Sequence, residues 1–196
     1  MVLLRMLRSG LPLFVLGISL AATAFGQHYK PEEFHRRLAP NVSAPLRAVD
    51  KIVDLANLKP GETLYDLGCG DGRILIAAAQ KYSIKAVGVE ISERLAQTAE
   101  ENVKSRGLED RVKIIHGDFM QVDLSNADVV TLYLVTTANE NLRPNLEKYL
   151  KKDARVLSYD YPIPGWKPVE EAETDPSRYG NRHTIYLYQV PGAFKK

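Results

Sequence analysis

The sequence has 196 residues, of which 45% are hydrophobic, enough for one sizeable core in a single domain. Its formal charge is +2, and Arg5 and Arg8 account for this excess, so the balanced remainder argues against a nucleic-acid surface as the main partner. The one cysteine, Cys69, excludes an internal disulfide, and the four scattered histidines show no ligand spacing, so no metal site is expected.

The first 26 residues have the order of a signal peptide. The basic start MVLLRMLR precedes the apolar stretch GLPLFVLGISLAATAFG, in which small residues fall at Ala22, Ala24 and Gly26. A membrane anchor is the alternative, because a spanning helix needs about 20 apolar residues, only slightly more than this stretch offers. Mitochondrial targeting is a third interpretation, which the long apolar block disfavours. The sequence thus predicts an exported (periplasmic or secreted) or membrane-anchored protein, with residues 1–26 as signal peptide or anchor.

Residues 27–45 are polar and contain spaced prolines, so we expect an extended arm before the folded domain. Ser43 is placed to cap a following helix, with Pro45 in the first turn of that helix. The apolar face of this helix is formed by Leu46, Val49, Val53 and Ala56.

Beyond this helix, strand and helix signals alternate. The strand segments are TLYDLG, KAVGVE, VKIIHGD, DVVTLYLV, ARVLSYDY and HTIYLYQV, with a further strand around KPVEEAET. The helices are RILIAAAQKY, a helix opened by Ser92, and one striped by Leu142, Leu146 and Leu150 with Pro144 in its first turn. This order predicts an α/β fold over residues 46–196: a doubly wound, mostly parallel seven-stranded sheet with helices on both faces.

The first strand ends in the glycine-rich turn DLGCGDGR, at the sheet edge where such folds bind ligands. A dinucleotide site needs G-x-G-x-x-G, but here the third glycine, Gly72, comes one residue early, and a P-loop ending is absent. Asp66 would repel a pyrophosphate and suits a ligand that carries positive charge. The turn therefore predicts a zwitterionic, sulfonium-bearing amino acid, with a purely structural glycine turn as the alternative.

Two more acids follow the next strands. Glu90 closes the second strand, where a carboxylate can accept two hydrogen bonds from ribose hydroxyls and repel a 2′-phosphate. Asp118 closes the third strand, where it can accept a hydrogen bond from an adenine amino group. Each acid alone is an ordinary strand-end charge, but together with Asp66 they predict an adenosine ligand.

Through DLGCGDG, the acid of VGVE and the GDF of HGDFM, roughly residues 40–190 resemble the class I, seven-strand S-adenosylmethionine-dependent methyltransferases. DLGCGDGRILIAAA, DRVKIIHGDF, ADVVTLYL and IPGW resemble the small protein-lysine methyltransferases of archaea and mitochondria. The resemblance implies a Rossmann-like fold, S-adenosyl-L-methionine as cofactor and a protein lysine as methyl acceptor. The cofactor-binding residues that it implies are Asp66, Gly68, Cys69 and Gly70 at the methionine end, Glu90 at the ribose, and Ile91, Asp118 and Phe119 at the adenine.

Tyr133 is the candidate catalytic residue, because the end of the fourth strand borders the methyl donor in this family. Methyl transfer from sulfonium requires the protein to align a neutral nucleophile and to exclude water. The Tyr133 ring can hold an ammonium and its hydroxyl can orient the amine, although tyrosine is also an ordinary strand residue. Relatives that act on adenine or glutamine amides carry prolines here, and TLYLVTT has none, which argues against nucleic acid as substrate.

Other residues allow two interpretations. Cys69 is better explained as a small filler than as a nucleophile, and His116 as a core or edge residue. Trp166, Tyr159 and Tyr161 either line the substrate mouth or cover the sheet, since the PIPGW segment between the late strands is too short for a helix.

Four functions fit these patterns to different degrees: a protein-lysine methyltransferase first, then a small-molecule methyltransferase, a non-catalytic adenosine-ligand binder and a nicotinamide dehydrogenase. The glycine spacing disfavours the dehydrogenase. A protein substrate is expected, with membrane association through residues 1–26 as a further expectation, and the oligomeric state does not follow from the sequence.

Overall fold

The computed structural model describes residues 42–174 and 182–194. The predicted signal peptide or anchor, and the arm up to residue 41, lie outside the described residues. Over these two ranges, the helices are all too short or too polar to cross a bilayer.

The domain is built on one sheet of seven strands. They are β1 Thr63–Leu67, β2 Lys85–Glu90, β3 Val112–His116, β4 Val129–Leu132, β5 Arg155–Tyr159, β6 Glu170–Glu173 and β7 Thr184–Gln189. Their order in the sheet is β3-β2-β1-β4-β5-β7-β6. Strands β1 to β5 run parallel, and β7 is antiparallel to both of its neighbours. The predicted α/β fold, with a mostly parallel seven-stranded sheet, is confirmed.

Helices cover both faces of this sheet, as predicted. The helices of the described residues are α1 Leu46–Leu55, α2 Arg73–Lys81, α3 Glu93–Lys104 and α4 Thr136–Tyr149. On one face, α1, α2 and Val103 of α3 share a buried cluster with Leu64 of β1. On the other face, Leu142 of α4 shares a cluster with Tyr65 of β1 and Tyr188 of β7. Adjacent residues of β1 thus belong to opposite clusters, because side chains alternate along a strand.

Two helix starts differ from the predictions. Helix α1 begins at Leu46 with Pro45 as its N-cap and no side-chain cap, so Ser43 does not cap it, and Leu46 is 70% exposed. Helix α4 begins at Thr136, which puts Pro144 inside the helix and not in its first turn. Pro144 is exposed, so the carbonyl that it leaves without a helical hydrogen bond lies on the side of the helix that meets water.

We call the side of the sheet where β1 to β5 end the carboxyl edge. Strand β7 runs the opposite way, so it begins at this edge, and Ile185 pairs with Tyr159 at the end of β5. Residues just after five strands and just before a sixth therefore meet along one line, where ligands of such sheets bind.

Candidate active site

The turn between β1 and α2 is shaped by its alternate glycines. Gly68, Gly70 and Gly72 all have left-handed backbones, with φ of +85°, +56° and +79°. Side chains are strained in this conformation, whereas glycine adopts it freely. The amides of Gly68 and Cys69 both donate to the carbonyl of Val89, at 2.8 and 3.1 Å. The turn is therefore folded back onto the end of β2.

The Glu90 carboxylate fastens the first two loops of the carboxyl edge together. It is 7% exposed and accepts the amide of Gly70 at 3.0 Å and the amide of Ser92 at 2.9 Å. A different oxygen receives each amide, and each carboxylate oxygen has a second lone pair. Glu90 can therefore hold this turn and still accept hydrogen bonds from a ligand.

Asp66 is a buried carboxylate beside the same turn. It is 3% exposed, and the hydroxyl of Thr131 on β4 donates to its Oδ1 at 2.8 Å. Burial raises the pKa of Asp66 to about 7, the Thr131 hydrogen bond opposes this, and the charges of Glu90 and Asp71 raise the pKa further. Charge neutralisation by a bound cation would favour the ionised form, so the site is suited to a positively charged ligand.

Arg73 stands where a dinucleotide motif would have its third glycine. Its Nε donates to Asp71 at 2.8 Å, and its Nη1 donates to the carbonyl of Ala44 at 2.7 Å. Hydrogen bonds from Arg73 lower the pKa of Asp71. This side chain therefore ties the residues before α1 to the glycine turn.

The predicted adenine-binding residues lie beside the ends of β2 and β3. Asp118 is half-buried, and its Oδ1 accepts the amide of Met120 at 2.8 Å, which starts the 3₁₀ turn Phe119–Gln121. Phe119 is buried in the cluster on the α4 face. Ile91 follows Glu90 directly and its carbonyl lies 3.2 Å from Nε2 of His116. Because β3 is an edge strand, His116 is an edge residue, as one of the two interpretations held.

Cys69 fills space behind the glycine turn. It is 5% exposed, and a Cβ added to Gly88 in β2 would lie 2.6 Å from its Sγ. Burial raises the pKa of the thiol well above its usual value. A neutral, enclosed sulfur that packs on Gly88 fits the role of a filler and not that of a nucleophile.

A row of three rings continues the carboxyl edge beyond the glycine turn. Tyr133, half-buried, follows the last residue of β4, and its ring meets that of Tyr159 edge-on at 4.7 Å between centroids. The Tyr159 ring lies 5.5 Å from the His183 ring just before β7. Burial raises the pKa of both tyrosines, and the charge of Asp160 adds to the effect. Both phenols therefore stay protonated near neutral pH.

The row ends in an acid–histidine pair that the sequence analysis did not single out. Nδ1 of His183 lies 2.7 Å from Oδ2 of Asp160, the residue after β5. Asp160 has a left-handed backbone with φ of +65°, uncommon for a residue other than glycine. Thr131, the partner of Asp66, was also missed. Asp160 follows the pattern that singled out Glu90 and Asp118, an acid at a strand end, and could have been found in this way.

Trp166 and Tyr161 lie elsewhere. The Trp166 ring packs on Tyr188 and Phe194, at 5.5 and 5.0 Å, and its Nε1 donates to Glu147 at 2.9 Å. Trp166 thus covers the sheet on the α4 face, where the described part of the chain provides no α-helix other than α4. Tyr161 is 36% exposed, and its carbonyl accepts a hydrogen bond from the buried Asn139 of α4.

The site contains acids and rings without a metal-ligand arrangement. Across residues 42–174 and 182–194, no three His, Cys, Asp or Glu side chains are grouped to hold an ion.

Several known proteins are similar to this chain in sequence and in fold. The ANTKMT methyltransferase domain matches residues 66–170. A protein-lysine N-methyltransferase of Saccharolobus islandicus is 41% identical over 152 residues, which cover 77% of this chain and 93% of that protein. The adenine nucleotide translocase lysine N-methyltransferase of Mus musculus is 33% identical, over 81% of this chain and 66% of the mouse protein.

A crystal structure extends the similarity to the fold. An RNA methyltransferase from Salinibacter ruber, in complex with S-adenosyl-L-homocysteine, is 36% identical with a TM-score of 0.72, over 79% of this chain and 97% of that one. S-adenosyl-L-homocysteine is S-adenosylmethionine without its methyl group, so the predicted cofactor and Rossmann-like fold are confirmed. The chain belongs to the family of the ANTKMT methyltransferase domain, and it is an S-adenosylmethionine-dependent methyltransferase.

Proposed function

We propose that this methyltransferase transfers a methyl group to a lysine side chain of a protein. The observation that carries the proposal is the half-buried ring of Tyr133, which follows β4, the neighbour of the strand that leads into the glycine turn, and packs edge-on against the buried ring of Tyr159. Aromatic faces attract an ammonium group, and the apolar stem of lysine packs well on them. The named activities of the archaeal and mouse relatives support the same substrate class.

The residues of the donor site fit the cofactor in charge and in shape. S-adenosylmethionine supplies a methyl group bonded to a positively charged sulfur. Asp66, buried with a raised pKa and no neutralising cation among its contributing neighbours, matches that positive charge. Nothing lies within 4 Å of where a Cβ on Gly70 would stand, so the turn leaves open space above its backbone.

The assignment of cofactor roles follows from these positions and from the family resemblance. In our proposal the methionine end contacts Asp66, Gly68, Cys69 and Gly70, with Cys69 taking part through its backbone. Glu90 accepts the ribose hydroxyls, Ile91 covers an adenine face, and Asp118 with Phe119 binds the adenine edge.

Tyr133 then has to receive an amine without its proton. A free lysine has a pKa of about 10.4 and is mostly charged near neutral pH. Partial enclosure by rings disfavours the charged form and raises the reactive fraction. The Tyr133 hydroxyl, which stays protonated, can orient the neutral nitrogen towards the methyl group.

RNA is the second candidate substrate, because the Salinibacter ruber protein carries that activity in its name. Two observations argue against it here. Basic and acidic residues nearly balance, at 26 and 24, whereas RNA-binding surfaces are strongly basic. The segment TLYLVTT, which spans the end of β4, also lacks the prolines carried there by relatives that act on adenine or glutamine amides.

Transfer of labelled methyl groups distinguishes a protein substrate from an RNA substrate. The full chain is incubated with labelled S-adenosylmethionine and a cell extract of the source organism, and portions are digested with protease or with ribonuclease. We expect protease-sensitive label, located on lysine by mass spectrometry. Ribonuclease-sensitive label, or label on a carboxylate or a metabolite, would contradict the proposal.

The N-terminal segment is relevant to the location of the enzyme. We propose that residues 1–26 direct the protein to export or hold it at a membrane, because basic, apolar and small residues follow in signal-peptide order. An exported enzyme needs its cofactor supplied across the membrane, whereas an anchored one can keep its domain in the cytosol. Fusion of residues 1–30 to a reporter that is active only after export tests this, and a soluble cytosolic fusion would contradict it.

A further inference from the structure

We propose that Asp160 and His183 form the proton-accepting pair that converts the substrate ammonium to a neutral amine. The inference rests on the proposed lysine substrate and adds the group that takes the proton. Asp160 and His183 lie on the carboxyl edge, after β5 and before β7, and β5 is the neighbour of β4 in the sheet. They therefore share an edge with Tyr133.

The contact between the two side chains determines which nitrogen of His183 can act. A carboxylate only accepts hydrogen bonds, so the 2.7 Å contact between Oδ2 of Asp160 and Nδ1 of His183 places the ring proton on Nδ1. In the neutral ring, Nε2 then holds the lone pair and can accept a proton. Asp160 in turn stabilises the imidazolium that forms.

The pair is reachable from solvent and is linked to Tyr133 by two ring contacts. The side chains of His183 and Asp160 are 28% and 18% exposed. Tyr159 contacts the His183 ring on one side and the Tyr133 ring on the other. Tyr159 itself is 1% exposed, so the rings that an incoming ammonium can contact are those of His183 and Tyr133.

Holding the fold together does not require this side-chain contact. Backbone pairing already joins β5 to β7, and the Asp160 amide donates to the carbonyl of Thr184 at 2.8 Å. Asp160 has a left-handed backbone conformation that glycine would adopt without strain. Its carboxylate also accepts the Thr184 amide at 3.3 Å, which fixes its direction towards His183.

The ammonium gives one proton to Nε2 of His183, and the amine nitrogen donates its lone pair to the methyl carbon as the carbon–sulfur bond breaks. The electron pair of that bond stays on sulfur, which becomes a neutral thioether. The product is a methylated ammonium, and His183 releases its proton to solvent.

The test uses a variant that keeps the contact and removes the base. In His183→Asn, the amide can still donate to Asp160 but does not titrate. The groups around this position are Tyr159 of β5 and Asp160 after it, Tyr133 after β4, and the ion pair of Glu173 on β6 with Arg182. The control is Glu173→Gln, which removes that neighbouring ion pair and leaves the acid–histidine pair intact.

Turnover is measured with the full chain and the cell extract across pH, with methyl-lysine quantified by mass spectrometry and donor affinity by calorimetry. We expect the turnover of His183→Asn to be about 100-fold below that of the wild type at neutral pH, which is the lower end of general-base effects. This loss of turnover should become smaller as the pH rises towards the lysine pKa of about 10.4, where a large share of the amine is already neutral and needs no base. Donor affinity and the Glu173→Gln activity should match wild type.

Asp160→Gly provides a second variant, because glycine accommodates the observed φ, and it should show the same pH-dependent loss. Wild-type turnover in His183→Asn, or a loss of equal size at every pH, would overturn the role of the pair while methyl-lysine formation stands. A wild-type protein that forms no methyl-lysine would remove the proposed function and this step with it.

Discussion

The carboxyl edge has two halves that are built in different ways. The donor half, residues 66–72, 90–91 and 118–119, relies on backbone conformation and on amides bound to Glu90. The acceptor half consists of Tyr133, Tyr159, Asp160 and His183, which meet through side-chain contacts. A turn that depends on local glycines leaves a short sequence pattern, whereas rings brought together by sheet pairing leave none. The donor half is therefore much easier to recognise in a sequence.

The halves also differ in charge. Asp66 and Glu90 are buried acids, and the charge of Glu90 helps to raise the pKa of Asp66, which suits a positively charged donor. The acceptor half offers the protonated phenol of Tyr133, which packs on buried Tyr159, and one acid–histidine pair, which suit a group that must lose its charge. Substitutions should therefore separate donor affinity from turnover.

Glu90→Ala should have the largest effect, and its effect on function should fall on donor affinity. The variant loses the carboxylate proposed for the ribose and leaves the amides of Gly70 and Ser92 without their acceptor. We expect affinity for S-adenosylmethionine to fall about 100-fold, or about 2.7 kcal/mol, in calorimetry. Glu93→Ala, which removes an exposed acid from α3, is the control. Unchanged affinity in Glu90→Ala would remove Glu90 from the donor site.

Asp66→Asn should weaken donor binding about 30-fold, because a neutral amide cannot balance the sulfonium charge. In the wild type, acidification through the Asp66 pKa of about 7 protonates the carboxylate, so donor affinity should decline below that pH. The variant should lose this decline. Calorimetry between pH 6 and 8 checks both, with exposed Asp50→Asn as the control. The same decline in Asp66→Asn would assign the titration to another group.

The same substitution should stabilise the protein without its donor. Because the folded state raises the pKa of Asp66, ionisation costs stability as pH rises through that pKa. The free energy of unfolding of Asp66→Asn should therefore be about 2 kcal/mol higher than that of the wild type near pH 8, as measured by urea denaturation. Lower stability at that pH would show that the carboxylate is not destabilising.

Tyr133→Phe should lower turnover about tenfold and leave donor affinity unchanged, since it removes one hydroxyl and keeps the ring that packs on Tyr159. Steady-state kinetics with labelled donor, together with calorimetry, separate the two quantities. Tyr149→Phe alters an exposed tyrosine at the end of α4 and is the control. Equal turnover in both variants would make Tyr133 an ordinary strand-end residue.

Trp166→Phe should have the smallest effect on function. It removes the hydrogen bond to Glu147 and some packing on Tyr188, so stability should fall by about 1 kcal/mol. Donor affinity and turnover should stay at wild-type values, because Trp166 lies on the α4 face and not at the carboxyl edge. A change in substrate affinity would instead indicate that Trp166 lines the substrate mouth.

The fold could be predicted because its signals are local. Alternating apolar runs predicted the strands, and the DLGCGDGR turn with Glu90 and Asp118 located the donor half. Thr131 was missed because it lies within β4, 65 residues from Asp66, and only the parallel pairing of β1 with β4 brings the two together. The start of α4 was misplaced because Pro144 was taken as a first-turn residue, whereas its exposed position lets the helix continue past it.

The position of His183 was even harder to predict from the sequence than that of Thr131. It is 23 residues from Asp160 in the chain, and β6 lies between them. Only the insertion of β7 between β5 and β6 places its ring beside Tyr159. Neither spacing nor residue type indicates that arrangement.

The position of β7 also sets the order in which a newly made chain can acquire its parts. Every donor-half residue, and β1, β2 and β4 that carry the turn, precede Tyr133 in the chain, so they leave the ribosome early. Strand β6 pairs only with β7 among the described strands, and it must wait for β7 before it joins the sheet. Synthesis therefore delivers the residues of the donor half before His183, and the acceptor half can be completed only after β7 has left the ribosome.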